Sequence, residues 1–164
     1  MRFLLLLLAG FSITFVSAAP PERWVPVEKP WDRSLGTHRV VLKVGELPTG
    51  TKAVAALMEW RRPDKEPEKK AVLVYDLKTG KQVTNVDVES VTNEEGKIIF
   101  EPVSGPGEYA VYFLSAKIEG GAFPVGKYLP PQKTADDLWH RQHGTASGVA
   151  GRKIRAEIVR WEAI

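Results

Sequence analysis

Two histidines three residues apart, His140 and His143, form the most pointed chemical pattern in this sequence of 164 residues. On a helix they share a face one turn after Asp136 and Asp137, and Asp136 with His140 is an i, i+4 pair. Imidazole and carboxylate at that spacing suit a metal, but a zinc site takes three or four protein ligands. No further ligand cluster stands near them in sequence, so a solvated helix face is the simpler reading. Asp87 and Glu89 share one face of a strand, and Glu94 and Glu95 fall in a turn. Two-carboxylate hydrolysis needs acids at a set separation on either side of the scissile bond, which neighbours on one strand do not supply. Ser147 lacks the flanking glycines of a nucleophile elbow, because Thr145 and Val149 occupy those places. Gly80-Lys81 fails as a phosphate loop at both Tyr75 and Gln82.

The five tryptophans offer a different chemistry, since aromatic faces stack on sugar rings. Trp60 lies on the apolar parity of its strand and belongs to the core. Trp139 and Trp161 read as anchors for the late part of the chain. Trp24 and Trp31 carry no such assignment. The run Trp60-Arg61-Arg62-Pro63-Asp64 is either a binding rim or a salt-bridged loop. The candidate carbohydrate contacts are therefore Trp24, Trp31, Arg61 and Arg62. No residue set calls for a catalytic role, a metal or a cofactor.

Something must position these residues, and composition limits what it is. The 43% hydrophobic content suffices for one packed domain. Lys and Arg total 23 against 20 Asp and Glu, a net charge of +3, which argues against a nucleic-acid partner. With 14 glycines and 12 prolines, turns outnumber long helices. The absence of cysteine excludes a disulfide scaffold, a thiol nucleophile and a thiolate zinc site.

The first residues read as an address. Arg2 precedes an apolar run from Phe3 to Val16, followed by the small residues Ser17, Ala18 and Ala19. This is the pattern of a secretory signal peptide, residues 1–18, with cleavage after Ala18. The run is shorter than the ~20 residues that span a bilayer. The expected destination is the periplasm or the outside of the cell, with no membrane association once the leader is removed.

Residues 19–36 form a lead-in rich in proline and tryptophan, expected to be extended and tacked down by its tryptophans. Residues 37–164 form the main module. Within it, Val40, Leu42 and Val44 alternate with Arg39 and Lys43, and Val54, Ala56, Met58 and Trp60 share a strand face. Ala71–Asp76, the valines from Val83 to Val91, Lys97–Glu101 and Glu108–Ser115 continue the pattern. Turns at Lys78-Thr79-Gly80-Lys81, Asn93–Gly96 and Ser104-Gly105-Pro106-Gly107 separate them. Short strands at near-regular spacing predict an all-β, antiparallel β-sandwich. Thr134 is placed to cap a short C-terminal helix over Ala135–His143, ended by Gly144. Lys153–Ile164 fits strand or helix, and is read as strand because the rest of the module is β. The sequence stops at Ile164 inside this regular segment, as it would if a further domain were missing.

Four segments taken together resemble one family. They are Leu35-Gly36-Thr37-His38-Arg39-Val40-Val41, Trp60-Arg61-Arg62-Pro63-Asp64, Thr79–Val86, and the stretch Phe100–Leu114 with its Pro106-Gly107-Glu108-Tyr109 core. From about Trp31 to Ile164 the chain is similar to the N-terminal domain of proteins like glycoside hydrolase family 123. The resemblance implies an export signal, a β-sandwich, and then a (β/α) barrel catalytic domain as intramolecular partner. It also implies cleavage of terminal β-linked N-acetylgalactosamine in the barrel by an adjacent Asp-Glu pair, with the Glu as general acid and the Asp orienting the substrate's acetamido group. No Asp-Glu dipeptide occurs here, and 164 residues cannot hold a barrel of ~250. The expectation is a non-catalytic module of a secreted glycoside hydrolase, not itself an enzyme. The alternative is a free-standing secreted carbohydrate-binding protein. A small enzyme using Asp87, Glu89 or the His140/His143 pair is a third reading, without the geometry it needs.

Overall fold

The computed structural model describes residues 25–27, 29–121, 125–144 and 154–164. The leader, Trp24 and Ser147 lie outside them. Ten strands are described: β1 (Val25–Pro26), β2 (His38–Val44), β3 (Val54–Glu59), β4 (Leu73–Asp76), β5 (Val86–Val91), β6 (Glu95–Phe100), β7 (Gly107–Tyr112), β8 (Ala116–Glu119), β9 (Val125–Tyr128) and β10 (Glu157–Ala163). One helix, α1 (Asp137–His143), precedes the last strand. Among the described residues no helix is long and apolar enough to cross a membrane.

The strands form a sandwich. One sheet has the order β1-β10-β2-β7-β4, and the facing sheet has the order β3-β6-β5. Pairing is antiparallel except where β1 runs parallel to β10. A separate hairpin joins β8 to β9. The all-β sandwich with one short helix is the architecture that the alternating sequence predicts.

Alternation explains the core. Val40, Leu42 and Val44 of β2 meet Tyr109 and Val111 of β7, and both face Val54, Ala56 and Met58 of β3 with Ile98 and Phe100 of β6. All are buried. Trp60 extends the same face and closes over Gly96, its indole nitrogen donating to Thr92 O at 2.9 Å. The final segment is a strand, as its β context suggests. Its mixed periodicity comes from a bulge: Ile158 pairs with Leu42 and Arg160 with Val41, leaving Val159 extra. Ile158 and Trp161, three residues apart, therefore both turn to the core. A second bulge in β5 leaves Glu89 without a cross-strand partner position and lets Val86 and Val91 both face inward.

Both outer faces are also covered. On the three-stranded sheet, Trp139 of α1 packs on Ala53, Ala55 and Ile99 and donates to Lys52 O at 2.9 Å. The helix starts later than the sequence suggests. Asp136 is its cap, accepting from the backbone nitrogens of Leu138 and Trp139, while the Thr134 hydroxyl donates to Thr84 O at 2.6 Å. Gly144 ends it, as expected.

On the five-stranded sheet, Trp31 and Leu35 pack near Leu73, Ala110 and Tyr112. The lead-in is thus tacked down by Trp31. Arg39, on the face of β2 opposite the core valines, lies under it with its guanidinium 4.2 Å from the indole centroid. A charged ladder then crosses three strands. Arg39 Nε donates to Glu162 at 2.5 Å, and Arg160 donates to Glu162 at 2.6 Å and to both oxygens of Glu108 at 2.9 Å. Hydrogen bonding to Arg160 holds the Glu108 carboxyl below the usual range despite partial burial.

A Cβ on Gly96 would sit inside the contact radius of the Trp60 ring carbons. Gly96→Ala should therefore destabilise the sandwich by about 2 kcal/mol, the usual cost of overpacking. Urea denaturation followed by tryptophan fluorescence measures it, and an unchanged midpoint would show that the ring shifts freely.

Candidate functional site

The Trp60–Asp64 loop is a salt-bridged loop and also the wall of a cleft. Arg62 is 5% exposed. Its Nε and Nη2 donate to the two oxygens of Asp64 at 2.9 and 2.8 Å, and Nη2 also donates to Phe113 O at 3.1 Å. The guanidinium carbon lies 5.1 Å from the ring centroids of both Trp60 and Phe113. Lys70 Nζ donates to the same Asp64 and rests 4.2 Å from the Tyr128 ring centroid, joining the loop to β9. Asn93 completes the loop by donating to the carbonyls of Arg62 and Asp64 at 2.7 and 2.9 Å. Burial raises the Asp64 pKa, but Arg62 and Lys70 outweigh it and hold the carboxyl at about 2.

The cleft beside this loop has a volume of about 390 Å³. Exposed Arg61, Glu59 and Pro63 line it with His38, Leu114 and buried Arg62. Burial lowers the His38 pKa below the usual imidazole value. Arg62 Nη1 is buried there without a hydrogen-bond partner.

The other candidates are placed elsewhere. Trp31 is half-buried, one face against Arg39, with its indole nitrogen donating to Gly36 O at 2.8 Å. It packs on the five-stranded sheet and is not part of the cleft lining that holds Arg61 and Arg62. Trp60 and Trp161 belong to the core and Trp139 holds α1, as their parity and position suggest. His140 Nδ1 lies 3.1 Å from Asp87, while the His143 ring is tilted 6.0 Å from that of Trp139. The helical Asp136–His140 pair does not form through side chains, because the Asp136 carboxylate caps the helix. Among the described residues, no three or more His, Asp or Glu gather as metal ligands. A second hollow of about 450 Å³ runs beside β5, with Asp87, Glu89, Asp137 and His140 in its wall.

Asp76 is a residue that the sequence reading passes over. It is 1% exposed and accepts from Lys78 N and the Thr79 hydroxyl, both at 2.9 Å, and from the Ser104 hydroxyl. Burial raises its pKa, but these donors together carry it below the ordinary value. The Asp–x–x–Thr spacing ahead of Gly80 is the local signal for such a turn.

These placements define a β-sandwich module whose buried charged residues, Arg62, Asp76 and Glu162, fasten strands and loops. Residues 29–164 match the family model "Glycoside hydrolase 123, N-terminal domain", and the chain belongs to that family. Comparison with curated proteins and with solved structures returned no match.

Asp64→Asn should cost about 3 kcal/mol of stability, because it leaves Arg62 and Lys70 without their counter-charge. The folded-state pKa lies below the ordinary 3.8, so this stabilisation is present above that pH and is lost as pH falls towards 2. The gap between wild type and variant in urea titrations should be widest at neutral pH and close near pH 2. A gap independent of pH would contradict the ion-pair account.

Proposed function

We propose that this chain is the non-catalytic N-terminal sandwich of an exported protein of the glycoside hydrolase 123 type, supporting a barrel domain in its full-length relatives. The family match carries the first part of this reading. One structural observation supports the second. The most buried carboxylates each hold structure together: Asp76 joins two loops, Glu162 joins β2 and β10, and Asp64 pairs with Arg62 and Lys70. A general acid has to approach a substrate oxygen, and acids committed to strands and loops are not available for that work. Export rests on the leader pattern of residues 1–18.

The purified chain should release no N-acetylgalactosamine from a β-linked chromogenic substrate. Release above the buffer rate would overturn this reading.

A second reading, a free-standing carbohydrate-binding protein, draws on the cleft with exposed Arg61 at its rim. It keeps Trp24, Trp31, Arg61 and Arg62 as its contacts. Glycan-array binding that falls at least about tenfold in Trp31→Ala or Arg61→Ala supports it. Absence of binding to any glycan removes it.

A further inference from the structure

The ion cluster beneath the Trp60–Asp64 loop is unbalanced. Asp64 has two cationic partners, and its side chain and those of Arg62 and Lys70 are only 12%, 2% and 11% exposed. The cluster therefore carries an excess positive charge in a poorly solvated place. Glu59 lines the cleft beside the exposed Arg61. Within the buried cluster two cations stand against one carboxylate, and the exposed Glu66 adds only a longer-range attraction to Lys70. An excess buried charge is costly unless something compensates it.

The hydrogen-bond census points the same way. Arg62 uses Nε and Nη2 on Asp64 and Phe113, while Nη1 stays unpartnered in a side chain that lines the cleft. Native structures rarely leave a buried donor unpaired, and a charged donor least of all. One oxyanion in the cleft would answer both deficits. It would accept from Nη1, and the exposed Arg61 beside it would supply a second donor.

We propose that the cleft formed by His38, Glu59, Arg61, Arg62 and Leu114 binds an anionic oxygen group of carboxylate or sulfate type, received by Arg62 Nη1 and Arg61. This deepens the second reading above and rests on it for the use of the cleft as a ligand site. Because Nη1 is buried, the anion reaches it as the rim side chains change rotamer, a common adjustment on binding. The planar guanidinium suits a carboxylate or sulfate better than a neutral hydroxyl.

The test uses two probes on the whole chain, sodium sulfate and sodium glucuronate, with glucose and sodium chloride as controls. Arginine Nε–H and tryptophan indole N–H resonances are followed by NMR. Saturable shifts at Arg62 and Trp60 with sulfate or glucuronate, absent with glucose and chloride, support the proposal. Binding of both probes indicates an acidic sugar as a source. Binding of sulfate alone keeps the anion site and takes the sugar reading away. Arg61→Ala should weaken binding about tenfold without changing the fold. Arg62→Lys, checked by circular dichroism, should abolish it. The proposal is overturned if neither probe gives a saturable shift, or if Arg61→Ala and Arg62→Lys bind as wild type does. An ordered water on Nη1 would produce the first of these results.

Discussion

Strand β2 is covered on both faces, and much of the molecule is arranged around that fact. Its inward residues Val40, Leu42 and Val44 face the second sheet, and Val41 on the outward side is equally buried. A strand wrapped this way needs hydrogen-bonded neighbours on both edges, and β7 and β10 supply them. It also needs a compatible outer face. Arg39 meets that need by lying under Trp31 and pairing with Glu162 and Tyr112, so its charge is buried only in company. Without cysteine there is no covalent staple, and this double burial takes its place.

The same logic recurs at smaller scale. Asp76 binds the Lys78–Lys81 turn to the Ser104 loop, Asp64 binds the Arg62 loop to Lys70, and Asp136 binds the start of α1. Asp76 and Asp136 accept backbone donors that a turn and a helix start would otherwise leave unpaired, while Asp64 accepts from side chains. These three acids act as fasteners.

Local periodicity revealed most of the sandwich, because half-buried strands must alternate. Trp60 could be placed in the core from parity alone, and the turn at Gly80 from its residue types. The bulges at Glu89 and Val159 could not, since one extra residue reverses parity and resembles helical spacing. The sequence places the helix start two residues early because Thr134 and Asp136 are both capping types, and the Thr134 hydroxyl is taken by the distant carbonyl of Thr84. The exposed hairpin of β8 and β9 lacks a strong apolar face, so nothing in its pattern announced it. The Arg61–Arg62 pair was visible as a pair, but its division into one exposed and one buried arginine depends on Asp64 and Phe113 in space. The ladder from Arg39 to Glu162 joins residues too far apart in sequence for any local signal.

The order of strands has a consequence for timing. In the larger sheet β10 lies between β1 and β2, so the last described strand separates the first two. During synthesis β2 cannot gain that neighbour, nor Arg39 its Glu162, until β10 has emerged. Long-range pairing of this kind makes assembly slow and late. The strands before β10 must therefore stay pliable until it joins them, and that step sets one strand between two that precede it by more than a hundred residues.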